Sequence, residues 1–431
     1  MNTLFWFRRD LRLYDNVGLH KALKENNSVI PIFIFDKNIL SELPKTDRRV
    51  SFIHNRIKDL KKKLNNIGSD LFVFFGDPEG VISNLVEEYS IKSVYTNNDY
   101  EPYALERDDK IKNTLSNNSV DFKSYKDQVI FEKDEIVKSD GDPYLVFTPY
   151  SKQWKKTLKS DNLKDSSINK YKKNFKKVDD VTKLIELDEM DFQKVDYIAY
   201  SEEVNKDIIS DYEETRNFPA IDGTTNMSLH LRFGTISVRE LVSVAKEVNE
   251  KYLNELIWRE FFMSILFHYP ETMNNNFRAK YDSLEWRNNE EEFDKWCKGE
   301  TGFPLVDAGM RQLNETGYMH NRVRMVTANF LTKLLLINWR WGEQYFAKKL
   351  MDYEMSSNVG NWQWSAGTGV DAAPYFRIFR PELQIEKYDK EYEYIKKWIP
   401  DYSENYLEPI VDYKSARQRA LDIFKKALNE K

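Results

Sequence analysis

The chain has 431 residues, a formal net charge of −5, 41% hydrophobic residues and 31% charged residues. This composition belongs to a folded globular protein and excludes a disordered chain, and the length predicts two domains rather than one core. No apolar run reaches the roughly 18 residues of a membrane span, so a spanning helix is excluded as well.

At the N-terminus, MNTLFWFRRDLRL has no basic region ahead of an apolar stretch, so no signal peptide is expected. Residues 1–130 alternate between strand-like and helical patterns. Apolar runs stand at 3–7, 29–35, 71–75, 93–96 and 120–125. Between them VSFIHNRIKDLKKKL (50–64) has apolar residues at helical spacing. Strand and helix in alternation predict an α/β domain with a parallel, Rossmann-like sheet covered on both faces. Neither G-x-G-x-x-G nor G-x-x-x-x-G-K-[ST] occurs, so the usual phosphate-cradling loops are missing.

Residues 131–198 follow, and from about Lys155 to Asp196 they are rich in Lys, Asp, Asn and Ser. This composition predicts an exposed connector between domains. From 199 to 431 the period is helical, as in LNELIWREFFMSILFHY (253–269), and an all-α domain is expected. Eight of the ten tryptophans lie in this half. The lone Cys297 excludes an intramolecular disulfide and fits a reducing cytoplasm.

The negative net charge speaks mildly against nucleic acid, but charge can gather on one face. Between Gly317 and Lys349 stand Arg322, Arg324, Lys333, Arg340, Lys348 and Lys349 against one acid, Glu343.

Four segments have the residue types of a binding site. In GTTNMSLHLRFGTISVRE (223–240) the hydroxyls of Thr224, Thr225, Ser228 and Ser237 surround a helix start. They would serve either as an anion site or as plain helix caps. In NELIWRE (254–260), Glu255, Trp258 and Arg259 share a helical face. They suit a planar, hydrogen-bonding ligand, or equally a surface ion pair beside a core tryptophan. In YMHNRVRM (318–325), Asn321, Arg322 and Met325 share a face, with Arg324 beside it. In NWQWSAGTGVDAAPYF (361–376), Trp362 and Trp364 point roughly 200° apart on a helix and cannot serve one surface. Five scattered histidines and one cysteine predict no metal site, and no G-x-S-x-G nucleophile elbow occurs.

Together FWFRRDLRLYDN (5–16), DGTTNMSLHLRFGTIS (222–237), LNELIWREFF (253–262), GYMHNRVRMVTANFL (317–331) and NWQWSAGTGVDAAPYFRIF (361–379) resemble the photolyase/cryptochrome flavoproteins. The resemblance runs in order from residue 1 to about 400 and is strongest to class I cyclobutane pyrimidine dimer photolyases. It implies an antenna-binding domain at 1–130, a linker at 131–198, and an FAD-binding and lesion-binding domain at 199–431.

By that resemblance FAD lies in the helical domain, held by Tyr212, Thr224, Thr225, Asn226, Met227, Ser228, Tyr252, Glu255, Arg259, Asn321, Arg324, Asp352, Glu354 and Asn358. Asn358 would face flavin N5, and Arg324 would pair with Asp352. Glu255, Trp258, Asn321, Arg322, Met325 and Trp364 match lesion-binding positions, and a dimer leaves the stack to reach such a pocket. Trp362, Trp339 and Trp286 match a chain that passes electrons to the flavin.

The implied activity is light-driven repair of pyrimidine dimers in UV-damaged DNA, by a cytoplasmic monomer that uses no metal. The alternative within the family is a blue-light receptor that binds FAD without repair. Tyr252, Tyr318 and Glu354 depart from usual family residues. Glu101 matches a contact to a folate antenna, but the Cys-Lys pair that helps hold folate is replaced near Met273 and Asn274. A folate, a deazaflavin or no antenna all fit.

Overall fold

The computed structural model describes residues 2–403 and 405–429. The chain forms two compact units that are interleaved in sequence. One comprises Met1–Glu132, Thr157–Val204 and Asn226–Lys246; the other comprises Lys133–Lys156, Asn205–Thr225 and Glu247–Lys431.

The first unit is the expected α/β domain. Strands β1 (Asn2–Phe7), β2 (Val29–Asp36), β3 (Phe72–Gly76), β4 (Ile91–Asn97) and β5 (Asp121–Tyr125) form one sheet in the order β3-β2-β1-β4-β5. All pairs are parallel, with Leu4 opposite Ile30 and Val94. β1 and β2 are buried along nearly their whole length, as a sheet covered on both faces requires. β3 and β5, at the edges, are half exposed instead. The helices between them start on side-chain caps: Asn16, Asp47 and Asp77 each accept a first-turn N–H.

The stretch 226–246 packs with this unit and not with the helical one to which the sequence assigns it. Its anchor is ionic. Arg239 grips Asp15 at 2.9 Å and Asp127 at 2.9 Å, and Arg12 holds the other oxygen of Asp127 at 2.7 Å. Burial alone would raise the Asp127 carboxyl; the two guanidiniums hold it below the usual carboxylate range. Gly234, at φ +61°, lies so close to the loop after β1 that a Cβ would sit 2.1 Å from the Arg9 carbonyl oxygen. Only glycine fits there.

Residues 131–198 are not an exposed connector. Phe147–Thr157 is a helix of the second unit with Tyr150 and Trp154 buried. Residues 157–204 pack along the α/β unit. Phe175 bridges Val29, and Thr182 meets Lys61 and Asp70, with Ile168, Phe175, Met190 and Phe192 buried. Composition misleads here because polar residues cover one side of the segment while a few spaced apolar ones bury the other.

The second unit is helical throughout. Its principal core contains Trp296, Phe330, Trp339, Phe346 and Trp362. A π-helical turn at Phe330–Leu334 carries Lys333, which is 1% exposed and donates to the Ala366 carbonyl at 2.6 Å. Burial drives its ammonium far below the usual lysine range, so Lys333 is no part of a basic surface. Among the described residues no helix is long and apolar enough to cross a membrane.

Helices Trp339–Lys349 and Met355–Ala366 approach closely at Gly342, where a Cβ would lie 2.1 Å from Cη2 of Trp362. Gly342→Ala should therefore destabilise the protein by about 1–3 kcal/mol through overpacking, read as a lower denaturation midpoint with an unchanged m-value.

Candidate functional site

Two cavities of the helical unit collect most of the candidate residues. The first, about 100 Å³, lies between the helix Asn321–Asn329, the loop Asp352–Glu354 and the helix Met355–Ala366. Asn321, Arg324, Met325, Asp352, Glu354, Asn358, Trp362 and Trp364 all line it. Arg324 bonds both Asp352 oxygens, at 3.0 and 3.2 Å, and donates through Nε to the Met319 carbonyl at 2.7 Å. Arg259 reaches Glu354 at 2.8 Å. Arg259 therefore turns toward this cavity's rim and does not share a ligand with Glu255 and Trp258.

Asn358 is held from behind. Its Nδ2 donates to Oε1 of Glu343 at 2.8 Å and to the Glu343 carbonyl at 3.0 Å. Burial raises the Glu343 carboxyl and the Asn358 amide opposes that rise. With both amide hydrogens used, the amide oxygen is the group left to meet a ligand. Ser365 adds a buried Oγ without a hydrogen-bond partner on the same wall. Paired charges at the rim, an amide acceptor and an indole floor suit a flat ring system with polar edges.

The second cavity, about 430 Å³, is lined by Phe147, Arg216, Asn217, Glu255, Trp258 and Arg322, among others. Arg216 forms an ion pair with Glu255 and lies 5.0 Å over the Tyr212 ring. Arg322 donates to Asn217 at 2.5 Å and sits 4.5 Å over Tyr388, and its buried Nε has no partner. Trp258 is stacked on Phe147, with centroids 3.7 Å apart and planes 5° off parallel. One indole face expected to be open to substrate is therefore covered. Trp364 and Met325 line the first cavity, and Trp258, Glu255 and Arg322 the second.

Near Tyr212, the Thr225 hydroxyl and Tyr252 hydroxyl lie 2.7 Å apart, and Tyr212 and Tyr252 meet edge-to-face at 5.0 Å. Burial pushes the Tyr252 phenol up to about 12. Thr224 hydrogen-bonds Tyr318, likewise raised mainly by burial. Asn226, Met227 and Ser228 belong to the α/β unit, where the helix starts at Met227 after a left-handed Asn226 at φ +54°. Met227 is buried and Ser228 exposed. Ser237 is no part of a hydroxyl cradle, because it is fully buried and bonded to Asp15.

The three tryptophans of the expected electron chain share one apolar cluster, with Trp339 and Trp362 buried and Trp286 partly so. Trp339 donates to Asn276 at 2.8 Å. Trp362 meets Phe346 at 5.0 Å and Trp296 at 6.1 Å.

Comparison with known proteins decides the family. The family described as DNA photolyase matches residues 3–168, and the FAD-binding domain of DNA photolyase matches residues 252–404. The deoxyribodipyrimidine photo-lyase of Alkalihalophilus pseudofirmus is 34% identical over 97% of both chains. The chain belongs to the DNA photolyase family. Among solved structures, a bacterial class III photolyase from Agrobacterium tumefaciens superposes with a TM-score of 0.87 at 31% identity, covering 99% of this photolyase chain and 97% of that one. An archaeal photolyase from Sulfolobus tokodaii, solved with two FAD molecules, gives 0.85 at 35% identity, covering 99% and 100%.

The photolyase chain fits FAD on its own chemistry: Ser365 and the Asn358 oxygen are unspent polar atoms on an aromatic-floored wall. For an antenna, Glu101 is already engaged. Its carboxylate accepts from Arg232 at 2.6 Å and from Arg9 at 3.2 Å. Among the described residues no cluster of three or more His, Cys, Asp or Glu is placed to hold a metal.

Sequence reasoning missed Phe147, Arg216, Asn217 and Ser365, and noticed Glu343 only as an acid in a basic stretch. Phe147, Arg216 and Asn217 come from segments far from the motifs they join.

His320 caps the helix Asn321–Asn329 with Nδ1 accepting from the Arg322 N–H. Burial, then Arg324, Arg322 and Arg216, lower its pKa to about 4. The unfolded imidazole takes a proton near pH 6.5, whereas the folded one resists until about 4. Stability should thus fall as pH drops from 6.5 toward 4, by up to the order of 3 kcal/mol. In His320→Asn, pH-dependent denaturation should show that slope flattened.

Proposed function

We propose that this protein is a deoxyribodipyrimidine photo-lyase that splits cyclobutane pyrimidine dimers in UV-damaged DNA, using light and reduced FAD. The observation that carries the reading is the aromatic-floored cavity in which Glu343 aims the Asn358 oxygen inward while Arg324–Asp352 and Arg259–Glu354 form its polar rim. When bound and excited, reduced FAD supplies the electron that opens the cyclobutane ring and receives it back.

The chain's own residues do the rest. Asn321, Arg324, Asp352, Glu354, Arg259 and Asn358 would orient the flavin ring. Tyr212, Thr224, Thr225 and Tyr252, with Asn226, Met227 and Ser228, would hold the phosphates and ribityl chain. Glu255 and Asn321 would hydrogen-bond the base edges, and Met325, Trp258 and Trp364 would supply apolar surface. A flipped base has to be desolvated, and base–aromatic contact offsets that cost. Arg216 and Arg322 would neutralise phosphates beside the flipped nucleotides. Trp362, Trp339 and Trp286 would relay electrons inward from the surface.

The domain roles would be an antenna for the α/β unit and FAD and lesion binding for the helical unit, with the boundaries corrected to those of the two compact units. A folate, a deazaflavin or no antenna would fit, with Glu101 engaged by Arg9 and Arg232. The protein would act as a cytoplasmic monomer without a metal.

The test is to illuminate the purified flavoprotein with blue light, UV-irradiated oligo(dT) and a reductant, and to follow thymine absorbance. Recovery is expected; flavin photoreduction without recovery would identify a light receptor instead. Trp258→Ala should weaken dimer binding by about 1–3 kcal/mol in a titration with damaged DNA. Trp339→Phe should block photoreduction of oxidised flavin yet leave repair intact in chemically prereduced enzyme, as transient absorption and the repair assay would separately report.

A further inference from the structure

The stack of Phe147 on Trp258 is the closest ring pair among the described residues, and neither the repair chemistry nor the family resemblance calls for it. Phe147 is the first residue of the helix Phe147–Thr157. Three anchors hold that helix. Its Phe147 N–H donates to the Asp371 carboxylate at 3.0 Å. Tyr150 and Trp154, three and seven residues on and so on the same face, are 2% and 0% exposed. Trp154 Nε1 donates to Glu260 at 2.6 Å, on the very helix that carries Trp258.

The backbone that carries Phe147 is therefore fixed beside Trp258. Phe261 meets Trp258 edge-on at 5.5 Å and Phe262 lies tilted at 5.4 Å, so the indole is confined on several sides. Phe147 itself is half-buried and lines the same cavity as Trp258, Glu255 and Arg322. Asp371, with a left-handed φ of +43°, stands in the loop that follows Trp364. The loop that follows Trp364, on the first cavity, thus pins the helix start whose ring backs Trp258, on the second.

We propose that Phe147 is a positioning and substrate-pocket residue: it sets the ring plane of Trp258, and a flipped pyrimidine dimer meets the exposed border of a two-ring Trp258–Phe147 stack. This rests on the repair reading above. A rigid stack presents a larger apolar surface than one indole and loses no side-chain freedom when a base arrives.

The experiment compares wild type, Phe147→Ala, Phe147→Tyr and Asp371→Ala as FAD-loaded proteins. Binding to one oligonucleotide with and without a thymine dimer is titrated, and near-ultraviolet circular dichroism reports the tryptophan environment. Phe147→Ala should weaken dimer-DNA binding about tenfold, the scale of one aromatic pair, and leave undamaged-DNA affinity unchanged. Phe147→Tyr, which keeps the ring, should restore dimer affinity to within about twofold. Asp371→Ala should shift affinity the same way as Phe147→Ala, but less. The dichroism change of Phe147→Ala should vanish in a Trp258→Phe background.

Unchanged dimer affinity in Phe147→Ala overturns the proposal. Tighter binding overturns it too, since the ring would then be an obstruction. Should Phe147→Ala fail to fold, Phe147→Leu takes its place under the same criteria. Wild type that binds both oligonucleotides equally would defeat the repair reading, whereas the dichroism arm would still judge the clamp on Trp258.

Discussion

The missing side chain at Gly342 lets two helices of the helical unit touch. Trp362 fills the space that a Cβ would take, and the next residue, Glu343, is thereby brought against Asn358 one turn before Trp362. The same helix contact therefore places Trp362, the tryptophan proposed to pass electrons inward, and aims the amide expected at the flavin. Packed interiors do not deform continuously, so this contact holds the site to one geometry. The rest of the first cavity's wall comes from these two helices, the short loop between them and the facing helix Asn321–Asn329.

Charge is handled by pairing. Arg324–Asp352, Arg259–Glu354 and Arg216–Glu255 each place a guanidinium and a carboxylate in a partly buried setting. Such pairs hold side chains in fixed directions more than they stabilise the fold, because desolvation offsets much of the attraction. The benefit is orientation: each pair leaves hydrogen-bonding edges at a cavity rim. In the α/β unit the buried Arg12–Asp127–Arg239–Asp15 set does a structural job with the same chemistry, fastening 226–246 beside the sheet. One residue type thus serves two purposes, and the surroundings decide which.

Aromatic residues show the same dependence on context. Trp362 and Trp364 are two positions apart; one enters the core cluster, and both border the first cavity. Trp258 reads in sequence as an open stacking face, yet Phe147 covers it from more than a hundred positions away. Lys333 reads as part of a basic stretch, yet it points into the interior. The expectation that Trp362 and Trp364 serve different surfaces is thus corrected, while for Trp258 and Lys333 the deciding partner is remote in the chain.

Local information was enough for a good deal. Alternating apolar runs determined the parallel sheet, because a strand buried on both faces has to be apolar along its length, and helical spacing determined the second unit. Asn321, Arg324 and Met325 were legible because neighbours on adjoining turns of one helix face one cavity, whereas Asp352 and Asn358 came only through the family resemblance. Tertiary structure alone decided that the polar segment after residue 155 packs along the sheet, that 226–246 sits with the α/β unit, and that Phe147, Arg216 and Glu343 join the site. Those outcomes depend on contacts between segments distant in the chain, where the energy lies in fitted surfaces and paired charges. Residue order does not show such pairings until the chain has closed on itself.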